Sequence, residues 1–308
     1  MKDFWIRHSL HLWIGLGLLA FFQTALFQGI GPIPTYFYSF IWWSYILTVD
    51  GLVLRLRGES LLINRPRLFS ALIPWSVTLW LVFEAFNLVL KNWHYVGLPK
   101  EMVFRWPGYF VAYGTVMPAI WETKDLLSAL GLFEKEGGKK WPVSRSLYRP
   151  LIIAGVLCLL LPLMVPEIFF PLVWLGFVFL LEPFNHRTGR PSLLRDLEQG
   201  KPGNLYRLLL SGMILGLLWE FWNFWAKAKW MYTVPWVGEV KLFEMPVLGF
   251  FGFPPFAVEC FVMIQFLGIG RPRPSGKGLG WRAIPLAFLF FGVMFSAIDR
   301  YTVRSFAP

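Results

Sequence analysis

Six acidic side chains stand inside, or at the edge of, long apolar runs in this sequence: Asp50, Glu84 and Glu122 in the first half, Glu182, Glu220 and Glu259 in the second. A carboxylate at the centre of a bilayer-spanning helix costs about 2.5–3.5 kcal/mol on insertion scales. A chain that keeps six of them must give each a polar cavity, a hydrogen-bonding partner or its own proton. Buried acids of this kind are suited to giving and taking protons, the work of general acid–base catalysis. Glu220 is the expected general acid, Glu259 the expected base, and Glu84 and Glu122 their counterparts in the first half. Asn87 and Asn223 follow Glu84 and Glu220 at i+3, on the same helix face, where an amide can hold a carboxyl in place. Pro118 and Pro255 each stand one turn before an acid, and a proline inside a helix frees a backbone carbonyl for such a group. The bland alternative is that these polar pairs only bind neighbouring helices together.

Aromatic side chains surround the same positions. The chain has 17 Trp, most of them expected in belts at the membrane–water interface. Trp219 and Trp222 flank Glu220, and Trp230 and Tyr232 follow shortly after. Their π-faces would suit a polyene, or a carbocation held by cation–π attraction. The remaining candidates are sparse. His8 and His11 share a helix face near the first span and are expected at the interface. His94 and His186 are isolated, and no nucleotide, zinc-protease or catalytic-triad motif is present.

The elements that position these residues follow from composition. The 308 residues are 56% hydrophobic, 19% aromatic and only 15% charged, against about 25% charged in soluble domains. So little polar material cannot cover a soluble surface, which makes the chain an all-α, polytopic membrane protein. Apolar segments long enough to span a bilayer fall at 10–29, 35–54, 68–90, 107–123, 150–165, 168–184, 205–226, 245–268 and 282–299, about nine transmembrane helices. Pro107, Pro118 and Glu122 interrupt the fourth. The net charge of +11 lies between these runs, so it reads as positive-inside bias and not as a nucleic-acid surface. With the N-terminus cytoplasmic, 21 of the 29 Lys and Arg residues fall on the cytoplasmic side. The expected topology is therefore multi-pass in the cell membrane, N-terminus inside and C-terminus outside, with anionic lipid headgroups as partners of the cytoplasmic loops. Lys2 and Arg7 before the first run mark a retained span, not a cleaved signal. Cys158 and Cys260 lie in apolar stretches without a disulfide or zinc pattern.

Self-similarity is the most informative pattern. At an offset of 132, Pro34 matches Pro166, Trp42 matches Trp174, Asp50 matches Glu182, and Ser60-Leu61-Leu62 matches Ser192-Leu193-Leu194. Phe83 to Asn87 matches Trp219 to Asn223 at 136. Trp93-x-Tyr95 matches Trp230-x-Tyr232, and Pro118-x3-Glu122 matches Pro255-x3-Glu259, at 137. Matched helices are four spans apart, so the two units are parallel repeats and not inverted ones. The expected organisation is a four-helix repeat over 1–130, a cytoplasmic linker over 131–149, a second repeat over 150–270, and a basic loop with a ninth helix over 271–308.

Two four-helix units plus a ninth helix resemble the intramembrane prenyltransferase (UbiA) superfamily, whose aspartate-rich motifs follow the second and sixth helices. Those positions here run from Asp50 to Arg57 and from Glu182 through Asn185 to Arg190. The resemblance makes Asp50, Glu182 and Asn185 substrate-binding candidates. Only the first acid of each motif is kept, and magnesium on a diphosphate needs several oxygen ligands, so neither a metal nor another cofactor is expected. Trp230-x-Tyr232 followed by Pro255-x3-Glu259 also resembles the small integral-membrane lycopene cyclases and carotenoid hydratases, here without their paired Glu-Glu. That resemblance implies a hydrophobic isoprenoid or carotenoid-type lipid as substrate, protonated by one buried acid and deprotonated by a base, with Asn87, Asn223, Trp219, Trp222, Trp230 and Tyr232 around it. The same acids would also serve a lipid or small-solute transporter, or lie inert in a scaffold subunit.

Overall fold

The computed structural model describes residues 9–134, 138–236, 240–269 and 283–307. The expected charges at Lys2 and Arg7, the partner histidine His8, Gly137 of the linker and the basic stretch 270–282 lie outside the described residues. The chain is an all-helical membrane protein with a small β element. Among the described residues, seven helical stretches are long and apolar enough to cross a bilayer: Leu10–Phe27, Ile33–Arg57, Pro66–Leu90, Arg145–Met164, Pro166–Arg187, Gly203–Trp225 and Val247–Leu267.

In chain order the first half contains α1 (Leu10–Phe27), α2 (Ile33–Arg57), the one-turn α3 (Leu61–Asn64), α4 (Pro66–Leu90), β1 (Trp93–Val96), α5 (Met102–Tyr113) and α6 (Val116–Ala129). The second half contains α7 (Tyr148–Met164), the short α8 (Pro166–Phe169), α9 (Val173–Arg187), α10 (Leu193–Glu198), α11 (Gly203–Trp225), β2 (Lys229–Tyr232), β3 (Lys241–Leu242), β4 (Met245–Pro246), α12 (Phe253–Leu267) and α13 (Ala283–Tyr301). The fourth expected span is divided. Its helix stops at Gly114, whose N–H bonds Phe110 O, and Thr115 Oγ1 turns back onto Ala112 O. Pro118 then falls in the first turn of α6, where its missing N–H costs no helical bond. Helix α13 lies where the ninth span was expected.

Lipid tails are as apolar as leucine, so helices in a membrane are held by close packing and polar contacts. Glycine provides the close packing in two helix pairs. Gly15 of α1 lies so near α2 that an added Cβ would fall 2.7 Å from Thr48 N, and Gly155 of α7 lies equally tight on α9, 2.4 Å from Leu180 N. Helices α2 and α6, α9 and α12, and α11 with α6 and α12 complete the bundle, and α13 packs on α4.

Polar contacts close both ends. At one end Asp50 accepts from Ser60 Oγ (2.7 Å), Leu62 N (2.7 Å) and His11 Nε2 (2.9 Å), so His11 is buried on an acid rather than interfacial. Glu182 likewise accepts from Ser192 Oγ (2.6 Å) and Leu194 N (3.0 Å). Each serine is the N-cap of a short helix, Ser60 of α3 and Ser192 of α10, accepting from Ile63 N and Arg195 N, the usual way to satisfy a helix's first donors.

At the opposite end β1 and β2 form an antiparallel ribbon in which Trp93 faces Tyr232, His94 faces Met231 and Tyr95 faces Trp230. Alternation along a strand puts Trp93, Tyr95, Trp230 and Tyr232 on one face. Residues 302–307 run parallel along the outer edge of β1 through Tyr95 N to Thr302 O (3.0 Å) and Arg304 N to Tyr95 O (2.8 Å). That tail is anchored by Asp299, which receives Arg105 Nε (2.8 Å) and Nη2 (2.6 Å), Trp106 Nε1 (2.9 Å) and Tyr109 Oη (2.8 Å).

Candidate functional site

The ribbon is fixed to the helices by two asparagines. Asn87, near the end of α4, accepts Asn92 N (2.9 Å) and Trp93 N (3.2 Å) on Oδ1 and donates Nδ2 to Trp93 O (2.9 Å). Asn223, near the end of α11, accepts Trp230 N (3.0 Å) and donates to Trp230 O (2.9 Å). The i+3 spacing therefore has a different use from the one expected. Both ends of each amide are spent on strand backbone, and a tyrosine holds each carboxyl instead.

Glu84 Oε1 accepts three donors: Trp80 Nε1 at 3.0 Å, Trp93 Nε1 at 3.1 Å and Tyr95 Oη at 2.5 Å. Tyr113 Oη in turn donates to Tyr95 Oη at 3.1 Å. Glu220 Oε1 accepts Tyr232 Oη at 2.8 Å, and Trp230 Nε1 donates to that same hydroxyl at 2.9 Å. Both carboxyls are fully buried, and the second oxygen of each has no hydrogen-bond partner among the described residues. All donors converge on one oxygen of each carboxyl. Burial, reinforced by the neighbouring carboxyl, pushes the phenols of Tyr95 and Tyr232 well above their usual range, so both stay hydroxyl donors.

Beneath the ribbon two clefts share Trp80, Tyr95, Trp219 and Trp230. One, of about 540 Å³ with its mouth, is lined further by Trp93, Trp174, Tyr232, Phe253 and Phe256. The other, of about 710 Å³ with its mouth, runs past Tyr38, Tyr109 and Tyr113 towards Arg105 and Lys229. Their walls are ring faces: Trp80 and Trp219 lie 5.6 Å apart, Tyr38 stands edge-on to Trp230 at 5.0 Å, and Trp93 stacks with Trp174 at 6.4 Å. Glu84 and Glu220 do not line these walls. Each stands directly behind a tyrosine that does.

Protein-family models, curated proteins and solved structures give no match to this chain.

The other expected site residues occupy different places. Trp219, Trp230 and Tyr232 line the clefts, whereas Trp222 packs against Trp42 at 4.9 Å and Tyr45 at 5.9 Å. Glu259 is fully buried on α12 and accepts Phe177 N at 2.7 Å, which ties it to α9. Glu122 is fully buried on α6 with neither oxygen hydrogen-bonded among the described residues, and its charged neighbours are Asp50, Asp125 and Arg65. Asp50 and Glu182 hold the caps at the far end, and Asn185 Nδ2 donates to Val262 O at 3.0 Å. The six acids are thus spread through the depth of the bundle, and of the six Glu84 and Glu220 are the ones bonded to a tyrosine that lines an aromatic cleft. Among the described residues no three His, Cys, Asp or Glu side chains gather as a metal-binding group. Sequence reasoning missed Trp80, Trp174, Tyr113 and Phe256. Trp80 had a signal, its i−4 spacing from Glu84 on one helix face; Trp174 stood out only as the repeat match of Trp42, and Phe256, reaching the cleft from another helix, gave none.

Proposed function

We propose that this chain is an intramembrane enzyme that moves protons on an unsaturated, apolar lipid of isoprenoid or carotenoid type, without a metal or redox cofactor. The observation that carries this reading is the repeated Glu–Tyr pair: Glu84 with Tyr95 and Glu220 with Tyr232, each tyrosine lining an aromatic cleft. In this scheme the Tyr232 hydroxyl turns from Glu220 Oε1 to a substrate double bond and gives up its proton there, while the carboxylic proton of Glu220, now on the oxygen facing Tyr232, passes to the Tyr232 oxygen. The resulting cation lies against the π-faces of Trp80 and Trp219, which attract positive charge. A proton from a neighbouring carbon then passes to the Tyr95 oxygen while the Tyr95 proton moves to Glu84. The substrate leaves with a shifted double bond or a closed ring and the same atoms it brought. Glu84 now carries the proton, so the two pairs exchange roles in the next turnover. Glu84, not Glu259, is the base.

We also infer that the two halves are copies of one unit, arranged in parallel in a nine-span topology with the N-terminus cytoplasmic. Three matched constructions support this: serine-capped Asp50 and Glu182, ribbon-pinning Asn87 and Asn223, and tyrosine-bound Glu84 and Glu220. The ribbon register supports it too. At the offset of 137, His94 corresponds to Met231, and these two residues face one another at the ribbon's centre, as a twofold axis along the membrane normal requires. In this topology the ribbon and clefts lie at the outer face.

The deciding experiment is incubation of purified Glu84→Gln and Glu220→Gln variants with lipid extract and analysis of the products. Loss of conversion in both, with folding intact, is expected. Conversion equal to that of the unaltered protein would overturn the enzyme reading.

A further inference from the structure

Several cations of this protein are held by carboxylates: Arg65 bonds Asp125 (2.7 Å), Arg105 bonds Asp299 and Lys229 bonds Glu244 (2.5 Å). Arg145, Arg149 and Arg187 are not. Among the described residues none of these three guanidiniums has an ion pair or a side-chain hydrogen bond. All three line one cleft of about 1110 Å³ with its mouth, formed where α7 begins and α9 ends. No carboxylate lines it. Its floor is His186, only 9% exposed, held between Tyr148 Oη on Nδ1 (2.7 Å) and Glu198 Oε2 near Nε2 (3.3 Å).

Uncompensated arginines around one concavity are a receptor for an oxyanion, because the guanidinium fork matches two phosphate oxygens at once. The position decides which anion. The cleft lies at the end of two helices long and apolar enough to cross a bilayer, where lipid headgroups would meet them. Below it α7 presents Ile153, Leu157 and Leu160, which are 59%, 47% and 48% exposed, a strip of side chains for acyl chains to follow. Phe184 stands exposed beside the arginines at the boundary.

We infer that this cleft is a binding site for an anionic phospholipid, with the phosphate among Arg145, Arg149 and Arg187 and the acyl chains along α7. The site is separate from the aromatic clefts at the opposite end and does not depend on the enzyme reading.

Native mass spectrometry of the delipidated full chain, titrated with phosphatidylglycerol or phosphatidylcholine, tests it. The unaltered protein is expected to retain phosphatidylglycerol at least tenfold more tightly than phosphatidylcholine. The combined Arg145→Gln, Arg149→Gln and Arg187→Gln variant should lose that preference, while Arg55→Gln with Arg67→Gln should keep it. If the triple variant does not fold, the single variants carry the test, each weakening phosphatidylglycerol two- to fivefold. Undiminished preference in the arginine variants overturns the site. Saturation by inorganic phosphate that excludes the lipid overturns the lipid as its ligand.

Discussion

Tyr95 Oη stands 2.5 Å from Glu84 Oε1 while the Tyr95 ring forms part of the wall shared by both clefts. Removing only the hydroxyl separates carboxyl from cleft without emptying the space. Tyr95→Phe should therefore lower turnover about 10²–10³-fold, the range of a lost proton-transfer group. Its cost in stability should be about 1–2 kcal/mol, because Trp80 and Trp93 still donate to Glu84. Tyr232→Phe should lower turnover alike but cost more stability, about 2–3 kcal/mol, because it takes the partner from both Glu220 Oε1 and Trp230 Nε1. Product analysis beside thermal unfolding in detergent separates the two effects, and unaltered turnover in both variants would remove the tyrosines from the mechanism.

Asn87 and Asn223 are expected to govern the ribbon, not the carboxyls. Replacing either with Ala leaves buried backbone donors and acceptors unpaired, at about 1–3 kcal/mol. Hydrogen exchange should quicken at Trp93 in Asn87→Ala and at Trp230 in Asn223→Ala. Unchanged exchange at these strands would show that the ribbon is held by other means.

Asp299 gathers four donors from α5, and Asp299→Ala leaves Arg105 buried without its counter-charge. A loss of about 3 kcal/mol is expected, together with release of the 302–307 segment, readable as new protease cleavage after Arg304. Asp299→Asn should lose less, since its oxygen still accepts.

Two glycines give opposite expectations for the same change. Gly155→Ala puts a methyl 2.4 Å from Leu180 N and must part α7 from α9, at about 1–3 kcal/mol. Gly17→Ala meets nothing within 4 Å and should be neutral or gain up to about 1 kcal/mol from reduced backbone freedom. Thermal midpoints of the two variants check the contrast.

Membrane character was legible in the apolar runs, because a bilayer demands about 20 such residues per helix. The Trp-x-Tyr pairs were legible as a recurrence, and so were Ser60 and Ser192. Their roles were not, because a strand's inward face and a serine's acceptor depend on where the next helix lies. Asn223 was misread for the same reason. Helical spacing put it on the face of Glu220, but the chain folds back after Trp225 and offers a nearer backbone. Asp299 was overlooked because its partners are about 190 positions away. The divided helix at Gly114 was foreshadowed only by the prolines around it.

The ribbon has one further consequence. Its strands come from opposite halves, and His94 meets Met231, the residue 137 positions along. A chain of half this length would have a single unpaired strand and half of each cleft wall. It could complete them only with a second molecule supplying the missing strand. Expressing residues up to the linker and residues beyond it as two polypeptides should therefore yield a heterodimer, with neither fragment stable in its monomeric form.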